Sequence, residues 1–296
     1  MTYDVAIRTR DDDLTLPDRL AALDDRLRQL GSVVVAFSGG ADSAFLLAAA
    51  VRALGPSRVV AATAVSSSLP ASELALAAEF CARLAVRHLT PVTHEMERAG
   101  YRANAGDRCY FCKAELVDVL GSLADQLGFA AVATGTNADD VLAGFRPGIK
   151  AAAERSATTP LLDAGLTKSQ IRAASRAWDL PTWDKPAAAC LSSRIAFGIE
   201  VTPSRLARVE RAEVELRAFL DARAISVTDL RVRDLGASAR VELDTSALVA
   251  LGTSDVDRAG AIALVEDAGF SDVHIDPRGF RSGSMNELLP EPDAYR

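Results

Sequence analysis

A short apolar run, followed by a glycine-rich loop and a helix, constrains the fold of this chain more than any other feature. The run Val33–Phe37 is typical of a strand that is buried on both faces of a parallel sheet. The loop Ser38–Ser43 has the sequence SGGADS, and the apolar segment after it predicts a helix to Leu54. Glycines let backbone N–H groups approach an anion closely, and a helix N-terminus adds partial positive charge. The segment therefore predicts a phosphate-binding loop at the end of a strand.

Strand-like and helix-like segments alternate through the first half of the chain. The predicted strands are Val33–Phe37, Val59–Val65, Val86–Leu89 and Ala131–Thr134. This alternation predicts an α/β fold with a doubly wound parallel sheet, in which ligands bind at the carboxyl ends of the strands. Because the loop Gly135–Asp140 follows the last of these strands, we expect it to meet the phosphate loop and Gly135 to bind the nucleotide.

The C-terminal part of the chain predicts a smaller α+β domain. Two predicted helices accompany three strand-like runs, Leu230–Arg233, Ala239–Leu243 and Val273–Ile275. The domain organisation we expect is a polar N-terminal segment, residues 1–16, a nucleotide-binding domain, residues 17–185, and a C-terminal domain, residues 186–296.

Composition and charge narrow the class of ligand. Of the 296 residues, 49% are hydrophobic and 25% are charged, which is typical of a soluble globular protein. The net charge of −7 argues against a large nucleic-acid partner, because nucleic acids are usually met by a basic surface. No stretch reaches the roughly 18 apolar residues of a membrane helix, and no signal peptide is visible. We therefore expect a cytoplasmic protein with no membrane partner and a small-molecule substrate. We also expect a homo-oligomer.

The polar groups of the loop indicate how a nucleotide is held. Ser38 and Ser43 can donate hydroxyls to pyrophosphate oxygens, and Gly39 and Gly40 supply backbone N–H groups. Asp42 cannot bind a phosphate directly and is better suited to Mg²⁺. The loop lacks the Gly-Lys-Ser/Thr of a Walker A loop. It resembles instead the PP-loop of ATP pyrophosphatases, which split ATP between its α- and β-phosphates and adenylate a substrate.

Three of the four cysteines have a spacing that suits metal chemistry. Cys109 and Cys112 lie one turn apart near a helix start, where thiolates are favoured, and Cys190 lies far away in sequence. Three thiols suit a 4Fe–4S cluster with one iron left open, or a zinc site completed by another ligand such as His88 or His94. Three unrelated thiols are the remaining alternative.

Further motifs extend the resemblance to nearly the whole chain, from about residue 20 to residue 288. The segments SGGADS, DRCYFCK, GTNADD followed by FRPG, LTKSQIR, WDKPAAACLSSRIAFG, LRVRDLG and GSMNE occur in the order of the LarE family. That family is similar to ATP-dependent sulfurtransferases that make the nickel-pincer nucleotide cofactor. The resemblance implies adenylation of a carboxylate of pyridinium-3,5-biscarboxylic acid mononucleotide, followed by sulfur delivery to form a thiocarboxylate. It assigns ATP binding to residues 17–185 and substrate binding with sulfur transfer to residues 186–296.

The family implies two possible sulfur sources. Some members have only the cysteine that matches Cys190 and sacrifice its sulfur, which leaves dehydroalanine. Others hold a 4Fe–4S cluster on three cysteines, and its open iron carries an extra sulfide. Because Cys109, Cys112 and Cys190 match the three-cysteine pattern, the resemblance favours the cluster. ATP, Mg²⁺ and the cluster are then the cofactors, sulfide or a sulfur-donating protein is the partner, and Cys190 and Asp42 are the catalytic residues.

Two arginines of the LRVRDLG segment are candidates for phosphate binding. Arg231 and Arg233 alternate with apolar residues, so both point to one face of a strand. Paired guanidinium groups suit bidentate recognition of a phosphate. The resemblance matches them to the arginines that grip the substrate's phosphate, and a solvated strand face is the alternative.

Other charged residues are weaker candidates for substrate binding. Arg194 follows Cys190 by four residues and would neutralise a substrate carboxylate near the sulfur source. Arg146 belongs to the FRPG motif. Glu213 interrupts an apolar helical stripe, where its carboxylate is either functional or paired with Arg217 at the i+4 position.

Two other functions remain as alternatives. A PP-loop tRNA thiolase also joins such a loop to a Cys-x-x-Cys pair and a third cysteine, but the acidic charge and the absence of a basic, aromatic-rich segment count against it. A non-catalytic ATP-sensing domain would explain the loop and leave the cysteines and paired arginines without a role.

Overall fold

The structure, a computed structural model, describes residues 14–142, 147–186, 190–281 and 283–288. Its strands are β1 Val33–Ala36, β2 Val59–Ala62, β3 Arg87–Leu89, β4 Ala131–Ala133, β5 Leu230–Asp234, β6 Ser238–Leu243 and β7 Asp272–Ile275. Its helices are α1 Leu16–Leu30, α2 Ala41–Leu54, α3 Ala71–Arg83, α4 Ala99–Arg102, α5 Arg108–Leu127, α6 Ala138–Leu142, α7 Pro147–Ala153, α8 Pro160–Asp163, α9 Lys168–Ala177, α10 Pro203–Asp221, α11 Thr245–Gly252 and α12 Asp255–Asp267. None of these helices is both long enough and apolar enough to cross a bilayer.

The strands β1 to β4 form a parallel sheet that is covered by helices on both faces. Val33 and Val35 pack in one apolar cluster with α1, α2 and α9, whereas Val34 packs in another with α5. Alternate residues of a strand point to opposite faces, so a run of valines suits a strand between two apolar layers. The predicted doubly wound α/β fold is confirmed.

The strand order β3-β2-β1-β4 determines where a ligand can enter. The chain continues from β1 to β2 and β3 on one side of the sheet and then crosses to β4 on the other side. In such sheets a crevice opens at the carboxyl ends of the strands where the order reverses. The phosphate loop follows β1 and the loop Thr134–Asn137 follows β4, so both loops lie at this crevice.

A second sheet of three strands forms in the C-terminal part of the chain. β5 and β6 are antiparallel, whereas β7 runs parallel to β6. Leu230 and Val232 pack with α10, α11 and α12 in a separate apolar core, and the opposite face of β5 carries Arg231 and Arg233.

The helix α11 was not predicted, because two helices were expected in this part and the described residues form three. Its N-terminus is capped by Asp244, whose Oδ1 accepts a hydrogen bond from the backbone N–H of Ala247 at 3.0 Å. Only Ala247 and Leu251 of this helix are buried, which gives too short an apolar pattern to distinguish it from a loop.

The region between β3 and α5 connects the two sheets. Tyr101 of α4 is buried in the second apolar core, and its hydroxyl group forms a 2.5 Å hydrogen bond with Ser192 Oγ. Asn104 Nδ2 donates to the carbonyl oxygens of Ala196 and Ile199 at 2.8 and 2.9 Å. These contacts hold the segment after Cys190 against the start of α5.

Candidate active site

One cavity of about 890 Å³ lies between the carboxyl edge of the parallel sheet and helix α10. Its wall contains most of the residues that the sequence singled out: Ser38, Gly40, Asp42, Ser43, Cys112, Gly135, Cys190, Arg194 and Arg231. Gly39, Cys109 and Arg233 are described but are not part of this wall. The structure therefore brings the phosphate loop, two of the three thiols and two of the three arginines to one cavity.

The phosphate loop has the geometry of an anion site. Gly39 has φ = +73°, a backbone conformation that glycine adopts without strain. Ser43 Oγ donates to the carbonyl oxygen of Gly40 at 3.1 Å and lies 3.2 Å from Ser38 Oγ, so both hydroxyls face one point. Gly40 is the N-cap of α2 and has no side chain to cap it, which leaves the first N–H groups of the helix for a ligand.

Gly135 brings the second loop against the first, as expected from their places after β4 and β1. A Cβ atom built on Gly135 would lie 2.9 Å from the backbone nitrogen of Ser43 and 3.2 Å from the carbonyl carbon of Asp42. Both contacts involve backbone atoms that cannot move aside easily. Glycine is therefore required here by the close approach of the two loops.

Asp42 is the loop residue best placed to hold a cation. One carboxylate oxygen, Oδ2, lies 3.5 Å from Lys168 Nζ, whereas Oδ1 is buried with no hydrogen-bond partner among the described residues. Burial raises the pKa of Asp42, and the neighbouring charge of Asp140 raises it further, while Lys168 opposes the shift. An unsatisfied buried oxygen is costly, and Mg²⁺ prefers oxygen ligands. Asp42, with Asp140 close by, therefore fits the predicted magnesium ion.

Two of the three motif cysteines, Cys112 and Cys190, line the cavity, whereas Cys109 is exposed in the first turn of α5 and lies outside the cavity wall. Burial raises the pKa of Cys112, and the negative charges of Cys190, Glu95 and Cys109 raise it further, which requires that these groups be near.

The arrangement of the thiols bears on the kind of metal they can hold. Within the described ranges, no three His, Cys, Asp or Glu side chains are grouped to hold a metal ion. A zinc site needs ligands that converge on one point, so this geometry does not support it. In a 4Fe–4S cluster each thiolate binds a different iron, so the thiols need no common point. The alternative zinc ligands lie elsewhere: His88 Nε2 contacts Thr63 Oγ1 at 2.9 Å, and His94 Nδ1 contacts Glu97 at 3.3 Å.

A buried cation stands beside the thiols. Arg108 is 6% exposed, and its Nη1 donates to Asn104 Oδ1 at 2.6 Å and to the Ser192 carbonyl oxygen at 2.7 Å. Burial by itself lowers the pKa of Arg108, but the thiolates of Cys190 and Cys109 raise it overall. No carboxylate of the described residues forms an ion pair with this guanidinium group. A buried charge needs a counter-charge, so Arg108 favours an anionic group at the thiols.

Glu213 does not pair with Arg217, which was one of the two alternatives for this carboxylate. Glu213 instead forms a bidentate ion pair with Arg194, at 3.0 and 3.1 Å, and accepts a 3.0 Å hydrogen bond from the backbone N–H of Val232. Arg217 Nη1 donates to the Val227 carbonyl oxygen at 3.0 Å. Arg194 Nη1 also donates to the Cys190 carbonyl oxygen at 3.1 Å, so this ion pair holds the thiol segment on α10 and β5.

The two arginines of β5 have different environments although they share a face of the strand. Arg233 is bound to the fully buried Glu242 at 2.8 Å and to Ser284 Oγ at 3.1 Å, away from the cavity wall. Arg231 lines the cavity, with its guanidinium group 5.2 Å from the ring centre of Phe280. Burial lowers the pKa of Arg231, and the nearby charge of Arg194 lowers it further, so an anion in the cavity would stabilise this cation.

Three lysines near the phosphate loop were not singled out from the sequence. Lys113 lines the cavity beside Cys112, Lys168 lies beside Asp42, and Lys185 Nζ donates to the Gly39 carbonyl oxygen at 3.0 Å. All three belong to motifs that carry the family resemblance, in the order DRCYFCK, LTKSQIR and WDKPAAAC. Their place in these motifs is the sequence signal from which they could have been identified. Arg146 of the FRPG motif lies outside the described residues.

Comparisons with known proteins extend over nearly the full chain. No protein-family profile matches it. The chain is 38% identical over 274 residues to an uncharacterized protein of Synechocystis sp., covering 93% of this chain and 99% of that protein. It is 31% identical over 275 residues to the pyridinium-3,5-bisthiocarboxylic acid mononucleotide synthase of Lactiplantibacillus plantarum, covering 93% and 96%. An uncharacterized protein of Methanocaldococcus jannaschii is 27% identical over 179 residues, or 60% of this chain and 66% of that protein.

The four thiols should react with iodoacetamide at rates set by exposure and pKa. Burial raises the pKa of Cys81 to about 12, and only the thiolate reacts. In the iron-free protein at pH 8, we expect the exposed Cys109 to be labelled first. Burial raises the pKa of both Cys81 and Cys112, so each of these should react at least about 100-fold more slowly than in the denatured chain, since each pKa unit changes the thiolate fraction tenfold. Mass spectrometry of peptides from timed samples measures the order. The denatured chain, in which all four thiols should react alike, is the control. Equal rates in the folded chain would contradict the predicted effect of burial on the reactivity of the thiols.

Proposed function

We propose that this chain, which belongs to the LarE family of pyridinium-3,5-bisthiocarboxylic acid mononucleotide synthases, is an ATP-dependent, AMP-forming sulfurtransferase of nickel-pincer cofactor biosynthesis. Its substrate would be pyridinium-3,5-biscarboxylic acid mononucleotide. The observation that carries the proposal is the single cavity in which the phosphate loop faces Cys112, Cys190 and Arg231. At about 890 Å³, that cavity is near the upper end of small-molecule sites and suits two ligands side by side.

The adenylation half of the reaction would take place at the phosphate loop. A substrate carboxylate oxygen attacks the α-phosphorus of ATP, the bond to the β-phosphate oxygen breaks, and pyrophosphate leaves with the electron pair. The uncapped N-terminus of α2 and the hydroxyls of Ser38 and Ser43 would hold the pyrophosphate. Asp42 and Asp140 would hold Mg²⁺, which neutralises the charge that develops on the leaving group.

The sulfur-transfer half would take place at the thiol end of the same cavity. A sulfide sulfur attacks the activated carbonyl carbon, the carbon–oxygen bond to the phosphate breaks, and AMP leaves, which gives the thiocarboxylate. Arg231 would hold the substrate's phosphate. Arg194, which is held by its ion pair with Glu213, would keep the Cys190 segment in place by donating a hydrogen bond to the Cys190 carbonyl oxygen.

We propose that Cys109, Cys112 and Cys190 hold a 4Fe–4S cluster. When bound, the cluster would supply an iron without a protein ligand, on which the sulfide is held. The support for this proposal is the proximity of the thiols to one another and to Arg108, whose buried charge favours an anionic group. Sulfide or a sulfur-donating protein would replenish the sulfur.

The adenylation assignment is tested by replacing Asp42. With ATP, Mg²⁺ and substrate, we expect Asp42→Asn to release pyrophosphate at least about 100-fold more slowly than the wild type, because loss of the metal's charge stabilisation costs several kcal/mol. Asp163→Asn, which removes a surface carboxylate paired with Arg26, is the matched control and should keep the wild-type rate. Pyrophosphate and AMP are measured together. Wild-type rates in Asp42→Asn would exclude this role for the loop.

We propose that Arg231, which lines the cavity, holds the substrate's phosphate, whereas Arg233, the other candidate, lies outside the cavity wall. Loss of a charge-assisted hydrogen bond costs about 1.5–3 kcal/mol, so Arg231→Ala should raise the substrate Kd by about 10- to 100-fold and leave the ATP Kd unchanged. Arg233→Ala should mainly lower the free energy of unfolding, since it leaves the buried Glu242 without this partner. Calorimetric titration and urea denaturation measure the two effects. If a substrate analogue without the phosphate loses as much affinity in Arg231→Ala, this assignment is wrong.

The sulfur source is tested by iron content and by mass. After anaerobic purification we expect a brown protein with about four irons, which supports several turnovers when sulfide is supplied. Cys109→Ala, Cys112→Ala and Cys190→Ala should each lose iron, whereas Cys81→Ala, a change in the first apolar core, should retain it. A sacrificial Cys190 would instead lose one H₂S in a single turnover. Dehydroalanine at Cys190 in an active, iron-free protein would refute the cluster.

A further inference from the structure

Lys185 is the only cation of the described residues that is hydrogen-bonded to the backbone of the phosphate loop. Its Nζ donates to the Gly39 carbonyl oxygen at 3.0 Å and to Glu73 Oε2 at 2.6 Å. The side chains of Lys185 and Glu73 are 19% and 18% exposed, so the pair is largely but not fully withdrawn from solvent. A Cβ atom on Gly39 would lie 3.7 Å from both charged groups, which shows how closely they lie against the loop.

The surroundings of Lys185 keep its ammonium group at this point. Its own carbonyl oxygen accepts a 3.0 Å hydrogen bond from Arg172 Nη2, which ties the residue to α9. Glu73 lies in the first turn of α3, and both Glu73 and the neighbouring Ser72 line the cavity. An ammonium group has three N–H donors, and the described residues use two of them. Lys185 is not itself among the residues of the cavity wall, but its ammonium group contacts Glu73, which is.

We propose that Lys185 is a catalytic residue that binds the β,γ-phosphates of ATP and stabilises the departing pyrophosphate. This inference rests on the proposed adenylation and adds the residue that meets its leaving group. The helix N-terminus supplies only about half a charge, whereas pyrophosphate leaves with several, so an ammonium group at the loop would add to the stabilisation that the helix and Mg²⁺ provide. Glu73 holds the ammonium group beside the loop when no nucleotide is bound.

A purely structural role makes a different prediction. If Lys185 only ties its segment to the loop through Glu73, then removing either partner breaks the same ion pair and has the same effect. If Lys185 binds phosphate, removal of Glu73 leaves the cation in place and removes a competing negative charge. The pair Lys185→Gln and Glu73→Gln therefore separates the two roles, because each change is nearly isosteric and removes one charge.

The experiment is a calorimetric titration of the full chain with ATP, pyrophosphate and AMP in the presence of Mg²⁺. We expect Lys185→Gln to weaken ATP and pyrophosphate by about 10- to 100-fold, as for a lost charge-assisted bond, and to change AMP by less than about twofold. Glu73→Gln should bind pyrophosphate at least as tightly as the wild type. Lys185→Arg, which keeps the charge, should retain most of the affinity for ATP. Circular dichroism establishes that each variant is folded.

Three outcomes would overturn the assignment. Equal weakening of ATP and AMP in Lys185→Gln, or unchanged ATP binding, would show that Lys185 does not contact the pyrophosphate. Weakening of pyrophosphate binding in Glu73→Gln by about 10-fold or more relative to the wild type would show a structural tie, and this result can be read even if Lys185→Gln fails to fold. A wild-type chain that binds neither ATP nor pyrophosphate would overturn the proposed function as well, whereas the first two outcomes leave it intact.

Discussion

The parallel sheet must be covered by apolar layers on both of its faces, and the location of the polar chemistry follows from that requirement. Val33 and Val35 face one layer and Val34 faces the other, so the valine side chains of β1 are not available to a ligand. Polar groups can gather only where the strands end. The strand order then brings the loops after β1 and β4 together at one edge, where Gly135 allows backbone contact between them.

The fold could be predicted from the sequence to the extent that it depends on local patterns. A buried strand, a glycine turn and a capped helix each leave a signal within a few residues, and the capping box of Thr167 with Gln170 is present as expected. The sequence of the short helix α11 has too little apolar periodicity to distinguish a helix from a loop. The convergence of the two loops was also predictable, because parallel strands place their carboxyl ends at one edge.

The choice of partners among charged residues could not be predicted in the same way. Glu213 had a local candidate in Arg217, four residues away on the same helix, but it binds Arg194, which comes from a different element. Arg231 and Arg233 share a strand face, and each follows an apolar residue. They differ because Glu242 on β6 and Ser284 lie within reach of Arg233. The partner of each charged residue therefore depends on contacts with residues that are distant in the sequence, which a local sequence pattern cannot reveal.

Buried cations in this site differ in what balances them, and the difference bears on function. Arg194 and Arg233 are matched by the carboxylates of Glu213 and Glu242. Among the described residues, Arg108 has neutral oxygen partners and nearby thiols but no carboxylate, so these residues leave its charge incompletely balanced. An anionic ligand bound at the thiols would balance the charge of Arg108.

The burial of Tyr101 in the second apolar core has a consequence for how such a chain can change over evolutionary time. Tyr101, together with the partly buried Met96 and Phe111, comes from the first half of the sequence but completes the core of the second half. A segment of residues 186–296 transferred to another protein would lack these side chains and expose the surface they cover. The two halves therefore share a core, and neither can be exchanged as a module without replacing the side chains that complete it.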